Sequence, residues 1–130
     1  MRPIVIVATL ALLLSGCAED TNPEAGGDDK ALACTPDATP LKLEAENTGW
    51  DSECLATEAG EAFKVEVVNQ DGFSHTFSIY EGKGGKQLFK GAEVAGGQSL
   101  TYDVPALEQG QQYFQCDFHP DDMNGTFIAA

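Results

Sequence analysis

Apolar and polar residues alternate with a period of two along much of the chain after residue 40. Leu41-Lys42-Leu43-Glu44-Ala45-Glu46 is one such stretch, and Phe63-Lys64-Val65-Glu66-Val67 is another. Leu100-Thr101-Tyr102-Asp103-Val104 repeats the pattern, as does Phe77-Ser78-Ile79 after His75-Thr76. Successive strand side chains point to opposite faces, so period two predicts half-buried strands. Gly-rich breaks separate them at Asp71-Gly72, Gly82 to Gly85, Gly96-Gly97, Gly110 and Asn124-Gly125. No stretch holds a helical period over three turns. Residues 47–60 are irregular and leave room for one short helix. Short strands with regular turn signals predict an all-β sandwich or barrel.

The chain before this region follows a different logic. Met1-Arg2-Pro3 is a short positive start, and Ile4 to Leu14 is apolar except for Thr9. That run is too short to span a bilayer and suits a secretory signal. It ends in Leu14-Ser15-Gly16-Cys17, which resembles the bacterial lipobox. The resemblance implies cleavage after residue 16, a lipidated Cys17 and a cell-envelope protein exposed outside the cytoplasm. With acyl chains at Cys17, two or more hydrocarbon tails anchor stably where one would not. Ala18 to Lys30, AEDTNPEAGGDDK, has no aromatic and no β-branched apolar residue, so it reads as a flexible acidic tether. The expected layout is a signal over 1–16, a lipidated tether over 17–31 and one domain over 32–130.

Charge narrows the function. Lys plus Arg number 7 against 21 Asp plus Glu, for a formal charge of −14. Nothing in that balance would neutralise phosphates, which excludes a nucleic-acid binder and a polybasic membrane-surface binder. Removing residues 1–16 takes away Arg2, the one guanidinium, and no acid. The Gly82–Lys86 stretch, GKGGK, lacks the spacing of a phosphate loop and reads as a hairpin turn with exposed lysines. An acidic surface prefers basic partners.

Four cysteines are present, at 17, 34, 54 and 116. In an oxidising compartment a pair among the last three is expected to bridge. Cys34 and Cys54 both lie in irregular sequence at the start of the domain, whereas Cys116 ends a strand. Cys34–Cys54 is therefore the preferred pair, with Cys34–Cys116 and Cys54–Cys116 as alternatives. Its loop of about twenty residues is worth roughly 3 kcal/mol by chain entropy.

The third cysteine sits among other metal donors. Residues 113–127 read YFQCDFHPDDMNGTF, placing Cys116, His119 and Met123 within eight residues. The chain has two histidines, and the other is His75. A thiolate, two imidazoles and a thioether form a soft set that selects copper. Parity puts His75 on the same strand face as Phe77 and Ile79, and Cys116 with Phe114, so both donors face inward. With only two histidines, both claimed by this set, no Ser-His-Asp arrangement is left.

These residues resemble the plastocyanin-like cupredoxins, the type 1 blue-copper proteins. The likeness runs from Val67 to about Gly125, and more loosely from Leu41. It is carried by Asn69-Gln70-Asp71, His75-Thr76-Phe77 and Tyr113-Phe114-Gln115-Cys116-Asp117-Phe118-His119-Pro120, with Ala59-Gly60-Glu61 opening an earlier strand. The resemblance implies a Greek-key sandwich or barrel of about seven or eight strands. It implies one copper ion cycling between Cu(I) and Cu(II), with His75, Cys116 and His119 as equatorial ligands and Met123 as the weak axial one. A backbone carbonyl or Asp122 is the alternative axial donor. Thr76 and Asp117 would stand behind the ligands, Thr76 as a hydrogen-bond donor to the sulfur. Many relatives carry Tyr four residues before the Cys; here that residue is Gln112, with Tyr113 one later.

The function implied is a monomeric, membrane-tethered carrier of single electrons and not an enzyme. His119 would be the electron port, rimmed by Phe73, Phe118 and Pro120. Asp117, Asp121 and Asp122 would add negative charge there for a transient basic redox partner, such as a cytochrome or an oxidase domain. The alternative from the same ligands is a module for copper storage, delivery or tolerance.

Overall fold

The computed structural model describes residues 34–130; the signal segment, Cys17 and the tether lie outside the described residues. Nine strands follow in order: β1 Leu41–Glu46, β2 Gly49–Trp50, β3 Cys54–Thr57, β4 Phe63–Asn69, β5 Ser78–Tyr80, β6 Gln87–Lys90, β7 Ser99–Val104, β8 Gly110–Gln115 and β9 Asn124–Ala129. They form two sheets, one of order β2-β1-β4-β7 and one of order β3-β9-β8-β5-β6. The fold is an all-β sandwich in which the chain crosses repeatedly from one sheet to the other.

Alternation explains why the sheets face each other. Leu41, Leu43 and Ala45 of β1 are buried while Lys42 and Glu46 are exposed. In β4, Phe63, Val65, Val67 and Asn69 are buried. Leu41, Leu43, Phe63, Val65 and Val67 meet Ile79, Phe114 and Phe127 of the second sheet, with Phe77 just ahead of β5, in one apolar core. β1 pairs parallel with β4, and β4 antiparallel with β7. Burial of such aliphatic and aromatic side chains stabilises by about 1.5–3 kcal/mol each.

Residues 47–60 depart from expectation. They hold no helix; β2 and β3 occupy the stretch. β2 turns back on the end of β1 through Asn47 and Thr48. β3 pairs parallel with β9 at the far end of the chain, Cys54 opposite Thr126. Its burial, with Leu55, Ala56 and Thr57 all inside, has no period of two. The Gly82–Lys86 stretch does form the β5–β6 hairpin turn, closed by the Glu81 N–H donating to the Lys86 carbonyl at 2.9 Å, with Lys83 and Lys86 exposed. Cys34 and Cys54 are joined by a disulfide, Cα to Cα 5.9 Å, which ties the first described residues to β3. Cys116 is free and buried.

The end of the sandwich that carries Cys116 depends on one close approach. A Cβ on Gly125 would stand 2.5 Å from both the Phe114 ring and the Glu53 carbonyl oxygen. Both neighbours are fixed, one by core burial and the other by backbone. Gly125→Ala should therefore destabilise by about 1–3 kcal/mol through overpacking, measured as a lowered midpoint of urea unfolding with an unchanged slope.

Candidate metal centre

His75 is fully buried and pinned on both sides of its backbone. Its N–H donates to the Val94 carbonyl at 3.0 Å, and its carbonyl accepts from the Val94 N–H at 2.8 Å. Cys116 follows β8 directly. β8 lies beside β5 with Ser78 opposite Gln115, so the segment leading into β5, which carries His75 on its bridge to Val94, comes close to the residue that leaves β8. Cys116 Sγ lies 3.7 Å from His75 Nδ1 and 3.8 Å from His119 Nδ1. One donor atom from each of the three residues lies within 4.8 Å of the others.

The loop after Cys116 folds tightly. The His119 N–H donates to the Cys116 carbonyl at 3.2 Å, and the Met123 N–H to the His119 carbonyl at 2.9 Å. The Cys116 N–H donates to the Met123 carbonyl at 2.8 Å, closing the loop. Met123 is thereby fully buried in a small cluster with Cys116 and Ala45, and Trp50 packs on it. Asp122, the alternative axial donor, is exposed.

The sulfur is also held from the other side. Thr76 offers it two donors, the backbone N–H at 3.4 Å and Oγ1 at 3.8 Å. Thr76 Oγ1 in turn accepts from the Asp117 N–H at 2.8 Å, which orients the hydroxyl proton toward the sulfur. The carboxylate of Asp117 points into the second sheet. It accepts from Ser78 Oγ at 2.7 Å, Tyr80 Oη at 2.7 Å and Gln115 Nε2 at 3.0 Å. Burial pushes the Asp117 carboxyl up, but these bonds outweigh it and hold the group below the usual carboxylate range. Burial raises the Tyr80 phenol, and the Asp117 charge adds to it. Asp117 is therefore a bracing group behind Cys116; its charge is engaged by β5 rather than offered at the port, as the sequence had suggested.

Behind His75 stands Asp71. Its Oδ2 lies 2.8 Å from His75 Nε2. The His75 ring N–H, with the Thr48 and Asn47 N–H groups, holds the Asp71 carboxyl below the usual carboxylate range. Local sequence patterns assigned no role to Asp71, Ser78, Tyr80 or Trp50. The one signal for Asp71 was its position four residues before the histidine in the Asn69-Gln70-Asp71 stretch. Trp50, the chain's single tryptophan, lies with its ring 6.3 Å from that of His75.

The opposite face of the site reaches the surface. His119 is half-buried, and its ring lies 5.2 Å from that of His75. Phe73 and Phe118 are 48% and 52% exposed, the two large apolar side chains left outside the core among the described residues. The Phe73 ring stands 5.7 Å from the His119 ring. Pro120, Asp121 and Asp122 are exposed on the same loop.

Two imidazole nitrogens and a thiol in a buried cluster, with a buried thioether against the thiol, are a donor set that fits one copper ion of the type 1 kind. No carboxylate competes, since Asp71 and Asp117 are turned to the backs of the donor residues. A β-sandwich with this set is a blue-copper class of protein. The chain belongs to the cupredoxin-like family, whose domain model matches residues 4–129.

Solved structures agree on the fold. Auracyanin from the photosynthetic bacterium Roseiflexus castenholzii superposes with a TM-score of 0.64 at 18% identity, covering 74% of this chain and 99% of that one. Auracyanin A, a "blue" copper protein from the green thermophilic photosynthetic bacterium Chloroflexus aurantiacus, gives 0.62 at 13% identity, over 69% and 97%. Amicyanin from Paracoccus versutus gives 0.54 at 23% identity, over 77% and 89%. No curated sequence matches the chain.

Thr76→Val keeps the backbone donor to sulfur and removes the hydroxyl. A donor on sulfur favours the electron-richer thiolate of the reduced site, so its loss should lower the reduction potential. A hydrogen bond of up to about 1 kcal/mol corresponds to a drop of roughly 20–40 mV for one electron, read by voltammetry of the copper-loaded protein.

Proposed function

We propose that the protein is a membrane-tethered carrier of single electrons in the cell envelope, holding one copper on His75, Cys116, His119 and Met123. The observation that carries this reading is the site's fixed geometry. Each donor residue is anchored by backbone bonds that are independent of any metal: His75 by Val94, Cys116 by Met123, His119 by Cys116. Copper held in this way supplies one-electron chemistry with little rearrangement between its two oxidation states. The chain's own part is to hold the donors still, to exclude water through the burial of His75, Cys116 and Met123, and to leave one ring, that of His119, near the surface.

Full burial of three donors leaves little room for a substrate, which supports a carrier rather than an enzyme. Phe73, Phe118 and Pro120 around His119 offer a small apolar contact for a transient partner. With a net charge of −14 and with Asp121 and Asp122 exposed beside the port, the partner is a basic redox protein, a cytochrome or an oxidase domain. The lipobox-like Leu14-Ser15-Gly16-Cys17 supports anchoring through Cys17. The Cys34–Cys54 disulfide supports a compartment outside the cytoplasm. The carrier acts as a monomer.

The test is a visible absorption titration of the full chain with Cu(II), followed by ascorbate. An intense thiolate-to-copper band at one equivalent, bleached by ascorbate and missing in Cys116→Ser, is expected. Colourless binding would overturn the carrier reading and favour storage or delivery; no binding would remove copper from the function altogether.

Docking makes its own prediction. The rate of electron exchange with a basic cytochrome should fall by about tenfold or more between low salt and physiological ionic strength, as screening shortens the reach of surface charge. Stopped-flow mixing measures it, and a rate that is flat or rising with salt would exclude a basic partner.

A further inference from the structure

His75 has two ring nitrogens, and they face different tasks. Nδ1 lies 3.7 Å from the Cys116 sulfur, and Nε2 lies 2.8 Å from Asp71 Oδ2. A carboxylate can only accept from Nε2, so the proton belongs on Nε2 and the lone pair on Nδ1. The ring itself is fully buried, where a mismatched proton would be costly.

Asp71 is held in place by groups far from it in sequence. Its Oδ1 accepts from the Asn47 N–H at 2.7 Å, and its Oδ2 from the Thr48 N–H at 3.0 Å. Its own N–H donates to Asn69 Oδ1 at 3.0 Å, and its carbonyl accepts from the Gly97 N–H at 3.0 Å. Asn69 Nδ2 donates to the carbonyls of Phe73 and Val94, and Val94 is the backbone partner of His75. Asn47 and Thr48 have φ of 54° and 56°. Asn tolerates left-handed backbone, but a β-branched residue such as Thr48 rarely adopts it. Here the strained turn aims two consecutive N–H groups at one carboxylate.

We propose that Asp71 is a positioning residue that fixes His75 as the Nε2–H tautomer and clamps its ring to the strained Asn47–Thr48 turn. For its effect on copper the inference rests on the proposed function; for the tautomer it does not. A carboxylate on Nε2–H makes Nδ1 a stronger donor, which favours Cu(II) over Cu(I). Neither neutral replacement reproduces the clamp. In Asp71→Asn one acceptor oxygen faces donors that two served before, and in Asp71→Ala there is none.

The experiment has a metal-free arm and a copper arm, both on the full chain. In the metal-free arm, nitrogen-15 NMR of the histidine rings should show His75 protonated at Nε2 and bare at Nδ1. The Nε2 proton should exchange with water at least tenfold faster in Asp71→Asn and in Asp71→Ala, and the Ala variant should populate both tautomers. In the copper arm, affinity for Cu(II) relative to Cu(I) should drop at least tenfold in either variant. That corresponds to a rise in potential of about 59 mV for one electron. A role confined to loop stability would lower the unfolding midpoint and leave the potential and the tautomer of the folded fraction unchanged, which would overturn the proposal. So would a wild-type spectrum with the proton on Nδ1, a result that needs no variant to fold. Failure of the wild-type chain to bind copper would refute the proposed function, and the tautomer measurement would still decide this inference.

Discussion

A thiol and two imidazoles must be kept within 4.8 Å of each other inside a protein whose apolar interior penalises unpaired polar groups. The rest of the structure is arranged around that constraint. Cys116 directly follows β8 and His75 stands three residues before β5, so the ladder between β5 and β8 helps to set their separation, together with the bridge from His75 to Val94. Each is then tied at its own backbone, Cys116 to Met123 and His75 to Val94. The bonds from His75 to Val94 and from Thr76 to the sulfur join residues distant in sequence, so the sandwich must be complete before the site exists. Gly125 shows how close the coupling is, because the residue after Asn124 approaches the Phe114 ring that supports the Cys116 strand.

Polar groups packed behind the donors settle what the donors leave over. The sulfur receives Thr76, Thr76 receives Asp117, and Asp117 is saturated by Ser78, Tyr80 and Gln115. The unused nitrogen of His75 is taken by Asp71. Buried polar networks stabilise a single arrangement only when every member is satisfied. Here Asp71 and Asp117 each accept three hydrogen bonds, and both are held below their ordinary range. This bracing separates a site built for copper from an accidental grouping of histidine and cysteine.

How much of this was legible in the chain depends on where each residue's partner lies. β1 and β4 showed themselves because each presents one face to the core and one outward, so alternation survives in the sequence. β3 did not, because its partner β9 lies at the other end of the chain and three of its four side chains are buried. β6 showed only as the strand expected after the Gly82–Lys86 hairpin turn, because an edge strand with neither face fully inside carries no alternation of its own. The same division holds in the site. The inward direction of His75 and Cys116 followed from parity with Phe77 and Phe114. His119 and Met123 stood out as rare donor types in one loop. Asp71 was invisible in its role, since its bond to His75 depends on a turn at Asn47 and Thr48 whose left-handed backbone suits Asn47 but is not announced by Thr48. A Gly at position 48 would have been the ordinary signal.

Charge and apolar contact act at different ranges at the exposed end. On the proposed reading, the chain's net charge of −14 draws a basic partner from a distance. It cannot define where the partner lands, because screening limits it to about 8–10 Å at working salt. Phe73 and Phe118 can, since their exposed rings flank the single donor residue that is not fully buried. On that reading, two rings and a proline form a small apolar contact that suits a partner which dissociates after each electron. With Asp117 turned inward, negative charge at that end rests with the exposed Asp121 and Asp122. On the proposed reading, the same loop that closes the site through Met123 thus also presents the docking face.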